Sequence, residues 1–257
     1  MKTLYVGDVH GCSVELLLLL KKFGFKKGED KLYLTGDLID KGYNNLRVLD
    51  IVREYGGKSV MGNHEQYFIN MFKVHKDREK FAEAVQRNFS NYEIKTTPEE
   101  FFFDRFHLRD FKDGQKIYDY IKTLPLHIRT DDGILVHAGV DPKASNYRQT
   151  SRELFTTIRR LLDGKPWFKS YTGKDRVIFG HWAAQNYLQE GNVICLDSGC
   201  VYGYKLTGWC PEEDKFYQVN STVKEKWPIA ENREAKKVEK KSSNPKTLRN
   251  KVIATIL

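Results

Sequence analysis

The chain has 257 residues, 40% hydrophobic and 13% aromatic, enough for one large domain or a domain with a tail. No apolar run nears the roughly 18 residues of a membrane span, and MKTLYVGDVHG carries no leader-like apolar region, so a soluble cytoplasmic protein is expected, with no membrane partner. Of the net charge of +9, Lys224–Leu257 contributes +6 through ten Lys/Arg against four Glu, which excludes a uniformly basic nucleic-acid binder and sets the tail apart.

In chain order, TLYV reads as a strand and CSVELLLLLKKFGF as an amphipathic helix ended near Gly24. KLYLTGD is a second strand, and NNLRVLDIVREYGG a helix stopped by Gly56 and Gly57. KSVMGNHE is a third strand running into a loop, and EQYFINMFKVH continues as helix. This order predicts an α/β layer with parallel strands, whose ligands sit beyond the strands' carboxyl ends. Residues 73–125 are rich in Lys, Glu and Phe and predict a helical insertion beside that layer. Within it, FFFDRFHLRDF is either core or a substrate-facing wall, and clustered aromatics favour core.

After Pro125 the pattern turns to short β-branched runs: LHIRT, GILVHAG, RVIFGHW, NVICLDSG and YKLTGW, with the helix SRELFTTIRRLL among them. Residues 1–223 are expected to form the domain and 224–257 a basic tail, whose apolar end VIATIL could dock back. The four cysteines form no CxxC pair, so neither a zinc knuckle nor a disulfide framework is indicated. Cys195 and Cys200 are expected as small core residues.

The strand ends carry a recurring design. GDVHG follows the first strand, GDLIDKG the second, GNHE the third, HAG follows GILV, and GH follows RVIF. One such end could be a helix cap. Five, each bringing Asp, Asn or His beside a glycine, point to a ligand cluster. Asp8, His10, Asp37, Asn63, His137 and His181 offer oxygen and imidazole donors without thiolate, a set suited to Mn, Fe or Zn more than Mg or Ca. Six donors exceed the needs of one ion, so two divalent ions about 3.5–4 Å apart are expected, with Mn2+ the leading choice and Asp37 the bridge.

Together these five motifs resemble the phosphoprotein phosphatase family of calcineurin-like binuclear metallophosphoesterases, over about residues 3–210. The resemblance implies a four-layer αββα sandwich. It also implies hydrolysis by direct attack of a metal-bound hydroxide on phosphorus. Asp8, His10, Asp37 and His181 would hold the first metal, and Asp37, Asn63 and His137 the second. His64 would protonate the leaving oxygen, and Asp40 would orient it and keep it protonated near neutral pH. Lys41 stands where the family has Arg, a point charge in place of a bidentate fork. The second phosphate-binding cation is assigned to Arg159 on the SRELFTTIRRLL helix, with Arg160 and Arg152 as neighbours; a solvated helix arginine is the other reading. Asp197 in CLDSGCVYG is either a support for His181 or a turn residue.

Two branches of the family fit. The Gln after GNHE and the Asp of GDLIDKG favour a phosphomonoesterase acting on phosphoserine or phosphothreonine in proteins. Lys41 and DSGCVYG favour symmetrical cleavage of diadenosine tetraphosphate. The first is the expected function and the second the alternative. A phosphatase of nucleic-acid ends, held through the basic tail, is a third reading.

Overall fold

The computed structural model describes residues 1–90, 95–144, 146–184, 186–224 and 226. β1 (Thr3–Val6) leads into α1 (Ser13–Phe23), β2 (Lys31–Leu34) into α2 (Asn45–Glu54), and the two-residue β3 (Lys58–Ser59) into α3 (Asn63–Phe72). The insertion supplies α4 (Arg78–Asn88), α5 (Pro98–Phe106) and α6 (Phe111–Ile121). The second half runs β4 (His127–Thr130), β5 (Gly133–Val136), α7 (Arg152–Thr157), β6 (Val177–Phe179), β7 (Leu188–Glu190), β8 (Val193–Cys195), β9 (Lys205–Cys210) and β10 (Lys215–Asn220).

Local chemistry sets these boundaries. α1 stops where Gly24 adopts φ 74° and its N–H returns to the Leu20 and Lys21 carbonyls. α5 starts with Pro98 behind a reciprocal Thr97–Glu100 capping box. Among the described residues no helix is long and apolar enough to cross a membrane.

The strands form two mixed sheets, ordered β10-β9-β1-β2-β3 and β4-β5-β6-β8-β7. β1, β2 and β3 run parallel, as do β5, β6 and β8. Alternate side chains of one strand enter different cores, because successive Cβ atoms point to opposite faces. Leu4 and Val6 pack with α1, α2 and the insertion helices, whereas Tyr5 joins Trp209, Leu135, Ile178 and Ile194 between the sheets. Ile134, Val136, Val177 and Phe179 point outward, under Phe155 of α7 and the fully buried Trp167. The order from the first half's helices through both sheets is therefore helix, sheet, sheet, cover. The cover on the second sheet is thin: the six-residue α7, a 3-10 turn at Trp167–Ser170 and loops.

Two expectations need correction, and two strands are additional. The helix expected over SRELFTTIRRLL ends at Thr157, because Ile158 turns extended to bury its side chain in the outer core, and Arg160 then bridges to Pro166. The third strand keeps only Lys58–Ser59: the Val60 N–H still reaches the Leu34 carbonyl at 3.3 Å, but the Met61 N–H turns away to the Pro125 carbonyl. β7 and β10 were not expected; β10 extends the first sheet beside β9. All four cysteines are buried and free, with Cys195 and Cys200 in core clusters as expected. Of the basic tail, only Lys224 and Lys226 fall within the described residues, so the expected tail and the docking of VIATIL lie outside them.

Ile178 is fully buried between the sheets. Ile178→Ala is expected to lower unfolding stability by about 3 kcal/mol, within the range for emptied core sites; urea denaturation at unchanged m-value is the check.

Candidate active site

Parallel strands place all five motifs at one edge. Asp8 and His10 follow β1; Asp37, Asp40 and Lys41 follow β2; Asn63 and His64 open α3 after β3; His137 follows β5 and His181 follows β6. The structure brings together every one of these residues. All but Lys41, which is half-buried, are buried.

Asp37 is the centre. Its Oδ2 lies 3.4 Å from His10 Nε2, 3.5 Å from His137 Nε2 and 3.7 Å from His64 Nε2, and its Oδ1 accepts the His64 amide at 3.1 Å. His137 Nε2 is 2.9 Å from Asn63 Oδ1 and 3.2 Å from His181 Nδ1. Within this cluster, among the described residues, two groups have ligand atoms close enough to hold an ion: His10, Asp37 and His64, and Asp37, His137 and His181. Asp37 belongs to both, as a bridge should. His181 sits with His137 and not with His10, a different sorting from the one the family resemblance implies. Asp8 accepts the Thr35 hydroxyl at 2.8 Å and the His181 amide at 2.9 Å.

Backbone conformation aims these groups. His10, Asp37, Asp40, Lys41 and His181 all have φ between 47° and 76°, left-handed values that cost a non-glycine residue energy. Their neighbours are glycines for a steric reason. A Cβ on Gly180 would stand 1.9 Å from Asp8 Oδ1, and one on Gly62 2.1 Å from Asp37 Oδ1. Glu65, the last letter of GNHE, fixes the loops together. Its carboxylate accepts the amides of Asp37 at 2.9 Å, Leu38 at 2.8 Å, Ile39 at 3.3 Å and Gly62 at 2.8 Å.

The electrostatics suit cations. Burial lowers the pKa of all four imidazoles, His137 to about 4, so they stand neutral with lone pairs available. Backbone carbonyls of Ile39 and Thr35 lie 3.0 and 2.8 Å from His10 Nδ1 and His137 Nδ1, which orients each Nε2 inward. Burial raises the carboxyls of Asp8 and Asp37, Asp37 to about 7; Asp197 adds to both, and Asp37 to the shift of Asp8. Crowded acids among neutral imidazoles form a site that divalent ions would complete, and the donors present fit them. Asp197 itself accepts the Gly199 amide at 3.0 Å, a turn role, while its charge reaches Asp8.

Around the cluster stand three cations. Lys41 Nζ is 3.0 Å from His10 Nε2. Arg159 Nε donates to His181 Nε2 at 3.0 Å and its Nη2 to the His181 carbonyl at 3.1 Å. Arg159 thus reaches the site from an extended segment, not from the helix expected for it, and the solvated reading fails. Arg152 points to Gln66, and Arg160 to the Gly164 carbonyl. The third cation, Arg105, was missed. From α5 its Nη2 donates to Asp40 Oδ2 at 2.9 Å, with Nε 2.6 Å from Oδ1. Asp40 Oδ2 also holds His64 Nδ1 at 2.5 Å. Arg105 precedes Phe106 on a helix whose Phe102 and Phe106 are fully buried. The aromatic run is core, as expected, and its arginine completes the site. The expectation that Asp40 keeps His64 protonated is reversed here. Burial comes first, and Lys41, Arg105, His137 and Arg159 add to it, so the imidazole's pKa falls well below its ordinary value.

A sequence profile of calcineurin-like phosphoesterases matches residues 1–219. The chain belongs to that family. Calcineurin-like phosphoesterases bind divalent metals, and the two His/Asp groups around Asp37 could hold them here. The protein is a metallophosphoesterase, a hydrolase. It is similar to the symmetrical bis(5'-nucleosyl)-tetraphosphatase of Neisseria meningitidis, 26% identical over 84% of this chain and 94% of the relative. The Aliivibrio fischeri protein of the same name is 26% identical over 84% of this chain and 97% of its own. Among solved structures, one described as a candidate diadenosine tetraphosphatase superposes with a TM-score of 0.67 at 27% identity, covering 86% of this chain and 94% of that one.

Because Asp37 holds its proton up to about pH 7, an ion must displace that proton below this value. Mn2+ affinity, read by calorimetry, is expected to fall as pH drops through 7; a flat profile would contradict the central place of Asp37. Arg105→Met is expected to lower kcat on the order of tenfold to a hundredfold through misplacement of His64, with Mn2+ affinity kept. Parallel kinetics and metal titration separate the two effects.

Proposed function

We propose that this metallophosphoesterase cleaves dinucleoside tetraphosphates symmetrically, with Mn2+ as its leading metal. The observation that carries the reading is the likeness to symmetrical tetraphosphatases along nearly the whole length of those relatives. The phosphoprotein reading favoured by the motifs alone has less support, since the relatives are named for the dinucleotide alternative. Neither the relatives nor the described residues support the nucleic-acid reading.

Asp8, His10, Asp37, Asn63, His137 and His181 would hold the metals. Two divalent ions there would lower the pKa of bound water and neutralise phosphoryl oxygens. The chain's own groups do the rest. Lys41 and Arg159 each touch a neutral imidazole nitrogen, from which they can turn to phosphate oxygens. Arg105 fixes Asp40, and Asp40 fixes His64 at Nδ1, so Nε2 faces the cluster. A phosphate arriving against Nε2 brings the negative charge that burial and the nearby cations deny it. His64 then takes up a proton and delivers it to the departing phosphate oxygen.

Hydrolysis with added Mn2+ tests this on diadenosine tetraphosphate, a phosphoserine peptide and p-nitrophenyl phosphate. Rapid dinucleotide turnover with ADP as the sole nucleotide product is expected, and His64→Ala should lower kcat about a hundredfold or more. Turnover of the peptide alone would return the protein to the phosphoprotein reading.

A further inference from the structure

A pocket of about 750 Å³ opens beside the catalytic residues. That volume lies in the range of roughly 300–1,000 Å³ usual for small-molecule sites. Lys41 and Arg105 line it, and both also touch the site, through His10 and Asp40, so pocket and site share a wall. The far side is different in character. Tyr43 is 75% exposed and Val14 48%, two of the five large hydrophobic side chains left exposed among the described residues, and both line this pocket. Tyr202 joins them, its ring 5.1 Å beneath Lys41 Nζ.

The walls also carry acceptors. Glu15, itself buried, accepts the Thr222 amide and hydroxyl, each at 2.7 Å, and so holds that wall in place. Asn44 precedes α2 without capping it by its side chain. The pocket therefore grades from two cations at the site, through polar walls and the half-buried Tyr202, to the exposed ring of Tyr43 at the rim. A nucleotide has the same gradient: phosphates, a ribose diol, and a flat base that stacks on aromatic side chains.

We propose that this pocket seats the nucleoside of one half of the substrate, its phosphates crossing Lys41 and Arg105 into the site and its base stacked on Tyr43. The proposal deepens the dinucleotide reading and, for catalysis, rests on it. Tyr43 then determines specificity: it distinguishes a nucleotide from a bare phosphate ester.

The test compares ADP with inorganic pyrophosphate by calorimetry on the Mn2+-loaded full chain, beside kinetics on diadenosine tetraphosphate and p-nitrophenyl phosphate. Wild type should bind ADP at least about tenfold tighter than pyrophosphate, and Tyr43→Ala should erase most of that preference. The ratio of kcat/KM for the dinucleotide to that for p-nitrophenyl phosphate should fall roughly ten- to hundredfold in Tyr43→Ala and recover in Tyr43→Phe, which keeps the ring. An unchanged ratio, with ADP and pyrophosphate bound alike, overturns the pocket. Should wild type hydrolyse p-nitrophenyl phosphate but not the dinucleotide, the substrate reading fails by itself. The binding comparison then decides the pocket: a lost preference in Tyr43→Ala supports it, and equal affinities overturn it.

Discussion

The site depends on one buried carboxylate that touches no substrate. Glu65 gathers four backbone amides, from Asp37, Leu38, Ile39 and Gly62, and so joins the loop after β2 to the start of α3. A buried amide without a partner is costly, and this one carboxylate satisfies four of them. The loop carrying Asp37 and Asp40 is thereby fixed against the turn carrying Asn63 and His64. Asp37, His64 and Asp40 all stand on pieces that this one side chain ties together. Burial raises its pKa to about 7, with the Asp37 charge adding, so the clamp is itself sensitive to the charge of the cluster beside it.

Around that clamp, the sandwich does the coarse positioning. Strands buried on both faces leave no room for chemistry along their length, and the ligands fall where the ladder ends. The two sheets meet through Tyr5, Leu135, Ile178 and Trp209, and that packing brings His137 and His181 of the second sheet against Asp37 of the first. Positioning across the sheets is thus a matter of apolar fit, while positioning within the first sheet is a matter of hydrogen bonds.

Much of this was legible in the sequence. The parallel first layer could be read from the spacing of its strands, helices and glycines, and the ligand cluster from donor types recurring at strand ends. What was not legible depended on tertiary contacts. Helical periodicity continued past Thr157, but the buried seat of Ile158 overrode it and carried Arg159 to His181. β10 is a strand because β9 offers it an edge. Arg105 lies 65 residues from the Asp40 it pairs with, and nothing local marks one arginine in an aromatic helix as different from its neighbours. His64 is a case of the same kind: its Asp partner shows in the motif, whereas the burial and the distant cations that lower its pKa arise only on folding.

The five site residues held at positive φ give the protein a place where thermodynamic optimisation and activity part company. The conventional route to a more stable variant puts glycine wherever a side chain suffers a left-handed backbone. Here that route would relax the loops and delete a side chain of the candidate site at each step: His10, Asp37, Asp40, Lys41 or His181. The strained turns are thus closed to improvement. An engineer seeking a hardier enzyme must work elsewhere, for instance on the exposed residues of the helices remote from these turns.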